Sequence, residues 1–321
     1  MTTDAIDGAG GAPPGGGAMA AVLVWFVGRG RFRRFTVMHC LHSAAETCFA
    51  VSMAGSIFFS VSSEAARPRV LLFLGVTLAP FLVMAPLVGP VIDRVRGGVG
   101  NVVVGTFAVR AVLVLLLAGQ LRTLALFPLA FGVLVVAKTY TVGRNALVPR
   151  VVEPSEDLVT ANARLSRTAS ILGAIAGIGA IALFATAGNP WTLRVAAAIY
   201  VIGGVVAWTV RRRLRPFAEA GQPDLIPVVR VDLSAATSDM MVLRAAVGYA
   251  VFHFAFSLRA SNDPVWVLGA VVAASSVGGF LGTIVAPWIR ARTDENRMLT
   301  LALLGASGAM LVASAAYARA T

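Results

Sequence analysis

Residues 99–119 read VGNVVVGTFAVRAVLVLLLAG, and between Val102 and Leu117 only Thr106 and Arg110 interrupt the apolar run. An amphipathic helix on a soluble protein would show a polar stripe every three or four residues. A run of about 20 apolar residues instead matches a helix that crosses about 30 Å of hydrocarbon. Because lipid offers the backbone no hydrogen-bond partners, such a run predicts a transmembrane helix.

Eight further stretches share this apolar character, and the chain as a whole is 58% hydrophobic and 13% charged. This composition is far from that of an ordinary soluble domain. We therefore predict an all-α integral membrane protein with about nine transmembrane helices. The predicted spans are 36–61, 70–91, 99–119, 123–143, 163–187, 191–210, 241–258, 264–288 and 297–318.

The net charge of +12 would suggest a nucleic-acid partner in a soluble protein, but here the basic residues lie in short segments between apolar stretches. We therefore expect the lipid bilayer as partner and no nucleic acid. If the chain starts in the cytoplasm, 19 of the 27 Lys and Arg lie in cytoplasmic segments. The remaining eight are Arg110 and Lys138, deep within their spans, and six at or beyond the outer ends of spans: Arg67, Arg69, Arg122, Arg194, Arg259 and Arg319. The positive-inside rule then predicts a plasma-membrane protein with a cytoplasmic N-terminus and, after nine crossings, an outer C-terminus.

Four regions follow from this reading. Residues 1–35 form a cytoplasmic N-terminus whose Gly- and Pro-rich start predicts disorder. Its part 19–34 is either an interfacial segment or a partly disordered leader. Residues 36–210 form a six-helix bundle and 241–321 a partial bundle of three helices. Between them, 211–240 is basic at its start and contains three prolines, which predicts a cytoplasmic linker.

A repeat links the two bundles. VGPVID at 88–93 and VAPWIR at 285–290 each close an apolar stretch, and 197 positions, or six spans, separate them. Six helices followed by part of a second six is the layout of transporters with duplicated halves and a central cavity.

The loop after the second predicted span carries a motif that narrows this layout to one family. Its pattern Gly89-x-x-x-Asp93-Arg94-x-Arg96-Gly97 resembles the signature of the major facilitator superfamily, in the loop where that superfamily carries it. Further along, GRNALVP at 143–149 and LVTANA at 158–163 resemble the bacterial drug-efflux-like branch.

The resemblance implies a helical bundle that moves a small solute by alternating access, with protons as the coupling ion. Superfamily members normally have twelve helices, so the chain is expected to lack the last three. It is then either a fragment or a truncated relative. The glycine-and-proline signature of helix five and the usual arginine pattern of helix four are absent, which speaks against drug–proton antiport.

A charge at the centre of the bilayer costs at least about 2.5–3.5 kcal/mol, so each one needs a reason. Glu46 lies in the first span, with His39 and His42 on the same helix face. The resemblance places Lys138 of the fourth span on the facing cavity wall. Glu46 is therefore a candidate for proton or substrate coupling, or else part of a permanent ion pair with Lys138 or Arg110.

The other candidates for coupling also have structural alternatives. Lys138 lies near the predicted inner end of its span and could extend to the membrane surface. Arg110 lies in an outer helix by resemblance, which favours a structural role. His39 is close to the predicted helix start and is expected at the interface. His253 in the seventh span either faces the cavity or packs between helices.

Two further sets of residues are candidates for a role in conformational change. Asp93, Arg94 and Arg96, between Gly89 and Gly97, are candidates for a gate that is held in one conformation and released in the other, or are ordinary loop charges. The helix-packing glycines form two small-residue pairs, which permit either moving or static close contacts. These pairs are Gly173 with Gly177 and Gly278 with Gly282.

The sequence therefore predicts a secondary active transporter coupled to protons, and the family resemblance favours export of the solute. The first alternative is a truncated, non-transporting membrane scaffold or partner. The second is a membrane-embedded transferase that uses Glu46 and the histidines on a lipid. The chain has no P-loop, no HExxH motif and no metal-ligand spacing, so we expect no enzyme activity, cofactor or metal.

The topology has a direct test. An Arg319→Cys variant in intact cells should react with a thiol reagent that does not cross membranes, because nine crossings place this residue outside. Labelling is followed on a gel. Protection of this cysteine until the cells are opened contradicts nine crossings.

Overall fold

A computed structural model describes residues 30–54, 98–121, 123, 125–152, 157–219, 238, 240–249 and 265–320. These residues form helices and connecting turns, with no strand in the described ranges, which confirms the all-α prediction for this part of the chain. The helices are α1 Gly30–Ala54, α2 Gly98–Gly119, α3 Leu126–Val151, α4 Leu158–Ala187, α5 Asn189–Glu219, α6 Met240–Tyr249, α7 Val265–Arg290 and α8 Glu295–Ala320.

Within the described residues, four helices are long and apolar enough to cross a membrane: α2, α3, α4 and the part of α5 up to Arg212. The predicted span 99–119 agrees with α2 to within one residue. Shorter apolar segments are α6 and Arg297–Val312 within α8. The predicted span 70–91 lies outside the described residues, so the count of nine stays a prediction.

Several helices extend beyond the predicted spans. The helix α1 begins at Gly30, so residues 30–34 are its first turns and not part of a separate interfacial segment. The helix α5 runs to Glu219, so the first nine residues of the predicted linker 211–240 are helical. The physical reason is that Arg and Leu are good helix formers, and the helix continues past the end of the apolar stretch.

The chain forms two compact units, residues 1–152 with 171–211, and residues 153–170 with 212–321. In the first unit, α2 and α3 pack side by side along their lengths. A Cβ added to Gly143 would lie 2.8 Å from Val103 Cγ2, and one on Gly132 would lie 3.2 Å from Leu113 Cδ1. These pairings make α2 and α3 antiparallel.

The other helices of the first unit follow from similar contacts. Gly173 faces Ser43 and Gly177 faces Thr47, so α4 runs parallel to α1. The helix α5 is antiparallel to α2, because Gly203 meets Phe107 and Gly100 meets Arg211. It is also antiparallel to α1, as Ser52 Oγ donates to Asn189 Oδ1 and Tyr200 Oη to Glu46 Oε2. Thus α1, α2 and α4 point one way and α3 and α5 the other.

A single residue, Gly188, separates α4 from α5. Its φ of +79° is in the left-handed region that glycine adopts without a steric penalty, and its N–H donates to Phe184 O over 3.0 Å. Pro190 stands next to the first residue of α5, where its fixed φ suits a helix start and its missing N–H costs nothing. The sequence Gly-Asn-Pro thereby ends one helix and begins the next.

Large apolar side chains face outward and a charged side chain is buried, which is the reverse of the arrangement in a soluble protein. The largest fully buried side chain in the described residues is Arg110, while Ile178 is 72% exposed, and Val112, Val205 and Leu304 are also exposed. Outward apolar side chains are stable in lipid, where buried polar groups must find partners inside the protein. With four helices able to span a bilayer, this arrangement is that of a membrane protein.

The contact between α2 and α5 has no free space at Gly203. An added Cβ would collide with Phe107 Cε1 and lie 2.9 Å from its Cδ1. Phe107 is fully buried between Tyr140 and Tyr200, so its ring cannot move aside.

We expect Gly203→Ala to lower the free energy of unfolding by about 1–3 kcal/mol through overpacking. The matched control is Gly105→Ala in α2, where nothing lies within 4 Å of the added methyl group. It should stabilise the helix by about 0.5–1 kcal/mol. Thermal unfolding in detergent measures both, and equal midpoints for the two variants would contradict the tight contact.

Candidate functional site

A buried ion pair joins α1 to α2 inside the first unit. The Arg110 Nη2–H group donates to Glu46 Oε2. Arg110 lies 12 residues after Gly98 and 9 before Gly119, at the middle of a helix that can span the bilayer. Its side chain is 1% exposed, whereas that of Glu46 is 37% exposed. The pair is therefore asymmetric, with a sealed cation and a partly open carboxylate.

The described contacts of the Glu46 carboxylate all involve one of its two oxygens. Arg110 Nη2, Tyr200 Oη at 3.5 Å and His42 Nε2 at 3.8 Å all approach Glu46 Oε2. Glu46 Oε1 has no hydrogen-bond partner among the residues that the structure describes. All the described contacts of this carboxylate therefore fall on one oxygen.

His42 lies on the other side of the guanidinium group. Arg110 Nη1 is 3.2 Å from His42 Nδ1. Arginine has only donors, so His42 Nδ1 must accept this hydrogen bond, which makes the ring neutral.

A second set of hydrogen-bonded side chains lies next to His42, on the side of its ring that faces Tyr140. The His42 ring stacks on Tyr140, with centroids 3.7 Å apart. Tyr140 Oη lies 3.1 Å from His39 Nδ1, and Arg144 Nη1 lies 3.1 Å from His39 Nε2. The donor-only Arg144 again fixes the histidine as neutral, with its proton on Nδ1 directed at the tyrosine oxygen. Arg144 also donates to the side-chain oxygen of Asn145.

Aromatic rings seal these groups. The guanidinium carbon of Arg110 is 4.5 Å from the centre of the Tyr200 ring, a cation–π contact. Phe107 meets Tyr140 edge-on at 5.5 Å and Tyr200 at 6.3 Å. A charge enclosed by rings is poorly screened, so its ion pairs are strong. We call the polar members of this assembly the polar cluster: His39, His42, Glu46, Arg110, Tyr140, Arg144 and Tyr200.

The structure brings several candidates together. His42 and Glu46 share one face of α1, as their spacing indicates, and Arg110 is the ion-pair partner that the sequence allowed as an alternative to Lys138. The prediction that His39 lies beside the helix start is wrong. The helix α1 begins nine residues before His39, whose ring lies inside the polar cluster.

Lys138 is half-buried on α3. Its predicted position near the helix end is wrong, because α3 continues to Val151. That leaves 13 residues, or about 20 Å of helix, between Lys138 and the end of α3.

Other candidates have less structural support. His253 and the predicted gate residues Gly89, Asp93, Arg94, Arg96 and Gly97 lie outside the described residues. Gly173 and Gly177 allow α4 to approach α1. In contrast, no described atom lies within 4 Å of a Cβ added to Gly278 or Gly282, so the described helices do not pack closely there.

Sequence reasoning missed Tyr140, Arg144 and Tyr200. Two of these were detectable: Tyr140 and Arg144 are four residues apart and so share a helix face. A tyrosine inside an apolar stretch also needs a partner for its hydroxyl group. Arg144 was assigned to a loop because the predicted fourth span ended at residue 143.

The second unit has a polar contact of its own. Asp157 Oδ2 accepts hydrogen bonds from the N–H groups of Val159 and Thr160 and so caps α4. Its Oδ1 lies 3.6 Å from Arg290 Nε at the end of α7. Both side chains are partly exposed, and such pairs contribute little stability. Among the described residues, no group of three or more His, Cys, Asp or Glu is placed to hold a metal ion.

The chain has relatives in mycobacteria. The uncharacterized proteins MT0899 and Rv0876c of Mycobacterium tuberculosis are each 31% identical to it over 280 residues. These alignments cover 74% of this chain and 50% of each relative. The uncharacterized protein ML2143 of Mycobacterium leprae is 36% identical over 185 residues, which is 53% of this chain and 31% of that protein.

The chain thus spans about half the length of the curated relatives that it matches, or less. No protein family matches it, and no solved structure shows significant similarity.

The ion pair makes a quantitative prediction. Glu46→Gln leaves Arg110 buried without a counter-charge, which costs about 3–5 kcal/mol for a buried pair. We expect the lower end of that range, because Glu46 is partly exposed. Arg110→Gln should cost less, since the carboxylate can take a proton. The double variant should recover most of the loss.

A double-mutant cycle on thermal unfolding in detergent measures this coupling. Additive effects of the two substitutions would show that the pair contributes nothing to stability.

Proposed function

We propose that this chain belongs to a secondary active transporter of the major facilitator type in the plasma membrane. In this proposal the N-terminus is cytoplasmic, and the protein moves a small solute in exchange for or together with protons, with Glu46 as the proton-accepting residue. The observation that carries the proposal is the ion pair between Glu46 of α1 and Arg110, which lies at the middle of the apolar helix α2.

Because desolvation of two charges is costly, a buried ion pair is a poor way to stabilise a bundle, and its presence supports a role beyond stability. Apolar side chains of similar volume would often stabilise a bundle as well as a buried ion pair does, or better. Ionisable residues within membrane spans usually mark ion or substrate pathways. The pair is also surrounded by His42, Tyr200 and Tyr140, groups that can donate or accept hydrogen bonds while it changes.

The geometry also suggests how a proton enters. Arg110 is sealed and stays charged, so any change of protonation falls on the partly exposed Glu46. A proton on Oε1 would neutralise the carboxylate and weaken its bond to Arg110. The pair could thereby hold α1 to α2 in one state and release it in the other, as alternating access requires.

Reconstituted vesicles test the proposal. With a pH-sensitive dye trapped inside, candidate solutes added to wild-type proteoliposomes should change the internal pH. Glu46→Gln should reduce this flux at least tenfold, because the glutamine cannot take a proton. Asp157→Asn is the matched control, since it also removes one carboxylate but lies outside the polar cluster, and it should retain the flux.

The outcomes separate the alternatives. Proton flux in Glu46→Gln at the wild-type rate would refute the role of Glu46 and favour a permanent structural pair. An absence of flux in the wild type with every solute would favour the non-transporting scaffold.

A further inference from the structure

We infer that the polar cluster binds a small anion at the Arg110 guanidinium group when Glu46 is protonated. The inference rests on the proposed proton uptake by Glu46 and adds the class of ligand. The anion would carry one negative charge and two accessible oxygens, as a carboxylate or a phosphate diester does.

The first step is a count of charges. Arg110 and Arg144 are positive and Glu46 is negative, while His39 and His42 are held neutral because each accepts a hydrogen bond from an arginine. The polar cluster therefore carries a net charge of +1. A proton on Glu46 raises this to +2 and leaves Arg110, 1% exposed, without a counter-charge. An unpaired charge in such a site is strongly unfavourable.

No described neighbour of the pair can supply the missing negative charge. The titratable and charged groups around it are His39, His42 and Cys48 on α1, Tyr200 on α5, and Tyr140 with Arg144 on α3. The histidines can only become positive, the arginine is positive already, and neither a tyrosine nor a buried thiol ionises beside lipid near neutral pH. Because the described residues hold no source for this charge, we infer that a bound anion supplies it.

The guanidinium group already has one unused donor for such a ligand. Its Nη2–H binds Glu46, and its Nη1–H binds His42. Its Nε is buried and has no hydrogen-bond partner among the described residues. Nε and Nη2 form one edge of the guanidinium fork, the edge that binds two oxygens of a carboxylate or phosphate in parallel. Glu46 fills half of this edge with Oε2 alone.

Release of the protonated Glu46 would open the whole edge. An anion with two oxygens would then make both hydrogen bonds, one more than Glu46 makes. Arg144, behind His39, adds a second positive charge that attracts the anion without a contact of its own. One proton and one anion enter together, so the net charge of the polar cluster is +1 before and after. Coupled binding thus avoids the buried, unpaired charge.

The test measures binding and needs no transport. Acetate and dimethyl phosphate, which stay singly charged near neutral pH, are titrated into the purified full chain in neutral detergent by calorimetry. Repeating the titration in buffers of different ionisation enthalpy gives the number of protons taken up. We expect about one proton per anion, and an affinity that falls about tenfold per pH unit once Glu46 is ionised in the free protein.

Variants assign this behaviour to residues. Glu46→Gln should bind the anion with no proton uptake and no pH dependence, because the glutamine mimics the protonated acid. Glu46→Gln combined with Arg110→Gln should lose binding at least tenfold, and this pair removes both buried charges, so its folding is preserved. Arg194→Gln is the control: this arginine lies on Trp191, outside the polar cluster, and its loss should change nothing.

If Glu46→Gln unfolds on extraction, a second measurement remains: extraction in acetate or in chloride at equal ionic strength. Acetate should preserve more of the folded variant than chloride does, because chloride cannot fill two donors. Equal effects of the two salts would overturn the inference.

Nanodiscs separate the two sources of anion. If phosphatidylglycerol added to phosphatidylcholine discs competes with dimethyl phosphate, the ligand is a lipid headgroup. Binding of acetate without such competition identifies a soluble carboxylate, and either result supports the site.

Anion binding without proton uptake, or the same pH dependence in wild type and Glu46→Gln, overturns the inference. Proton flux in vesicles with no anion binding would also overturn it while leaving the proposed transport intact.

Discussion

One constraint governs the described part of this protein: a charge in the middle of an apolar helix must be paired inside the protein. Arg110 stands halfway along α2, and lipid offers it no solvation. Its guanidinium group therefore turns inward to Glu46, His42 and the ring of Tyr200, which come from α1 and α5. The arginine thereby connects three helices, and its partners link them to α3 through the stack of His42 on Tyr140.

The same constraint explains why the surroundings of the pair are so closely packed. Aromatic rings exclude water from the arginine, and the helices must approach closely to hold them. Gly203 on α5 admits the Phe107 ring, and Gly143 on α3 admits Val103. Some hydroxyl groups in these helices bond within their own helix. Thr36 and Thr139 donate to backbone carbonyls four residues earlier, a common way to place threonine in a membrane helix.

The two members of the ion pair differ in solvent exposure, and this difference bears on what the pair can do. A pair that was sealed on both sides could hold a bundle together and do nothing else. Here the cation is sealed, and the anion is partly open and keeps one oxygen without a described partner. The proposed proton uptake by Glu46 rests on this difference in exposure. The relatives found in mycobacteria are uncharacterized, so the proposals for function rest on this geometry and on the loop motifs of the sequence.

The sequence by itself determined the helical class, the bilayer as surroundings and the extent of α2, because hydropathy over about 20 residues is a local property. It also placed His42 and Glu46 on one helix face, since helical spacing is local too. It misplaced the ends of α3 and α5, because helix propensity continues where hydrophobicity stops. Only the tertiary structure decided that Glu46 meets Arg110, that His39 and Arg144 join the polar cluster, and that Tyr200 closes it. These contacts join residues 64 to 154 positions apart, and they depend on how helices pack, which no local pattern encodes.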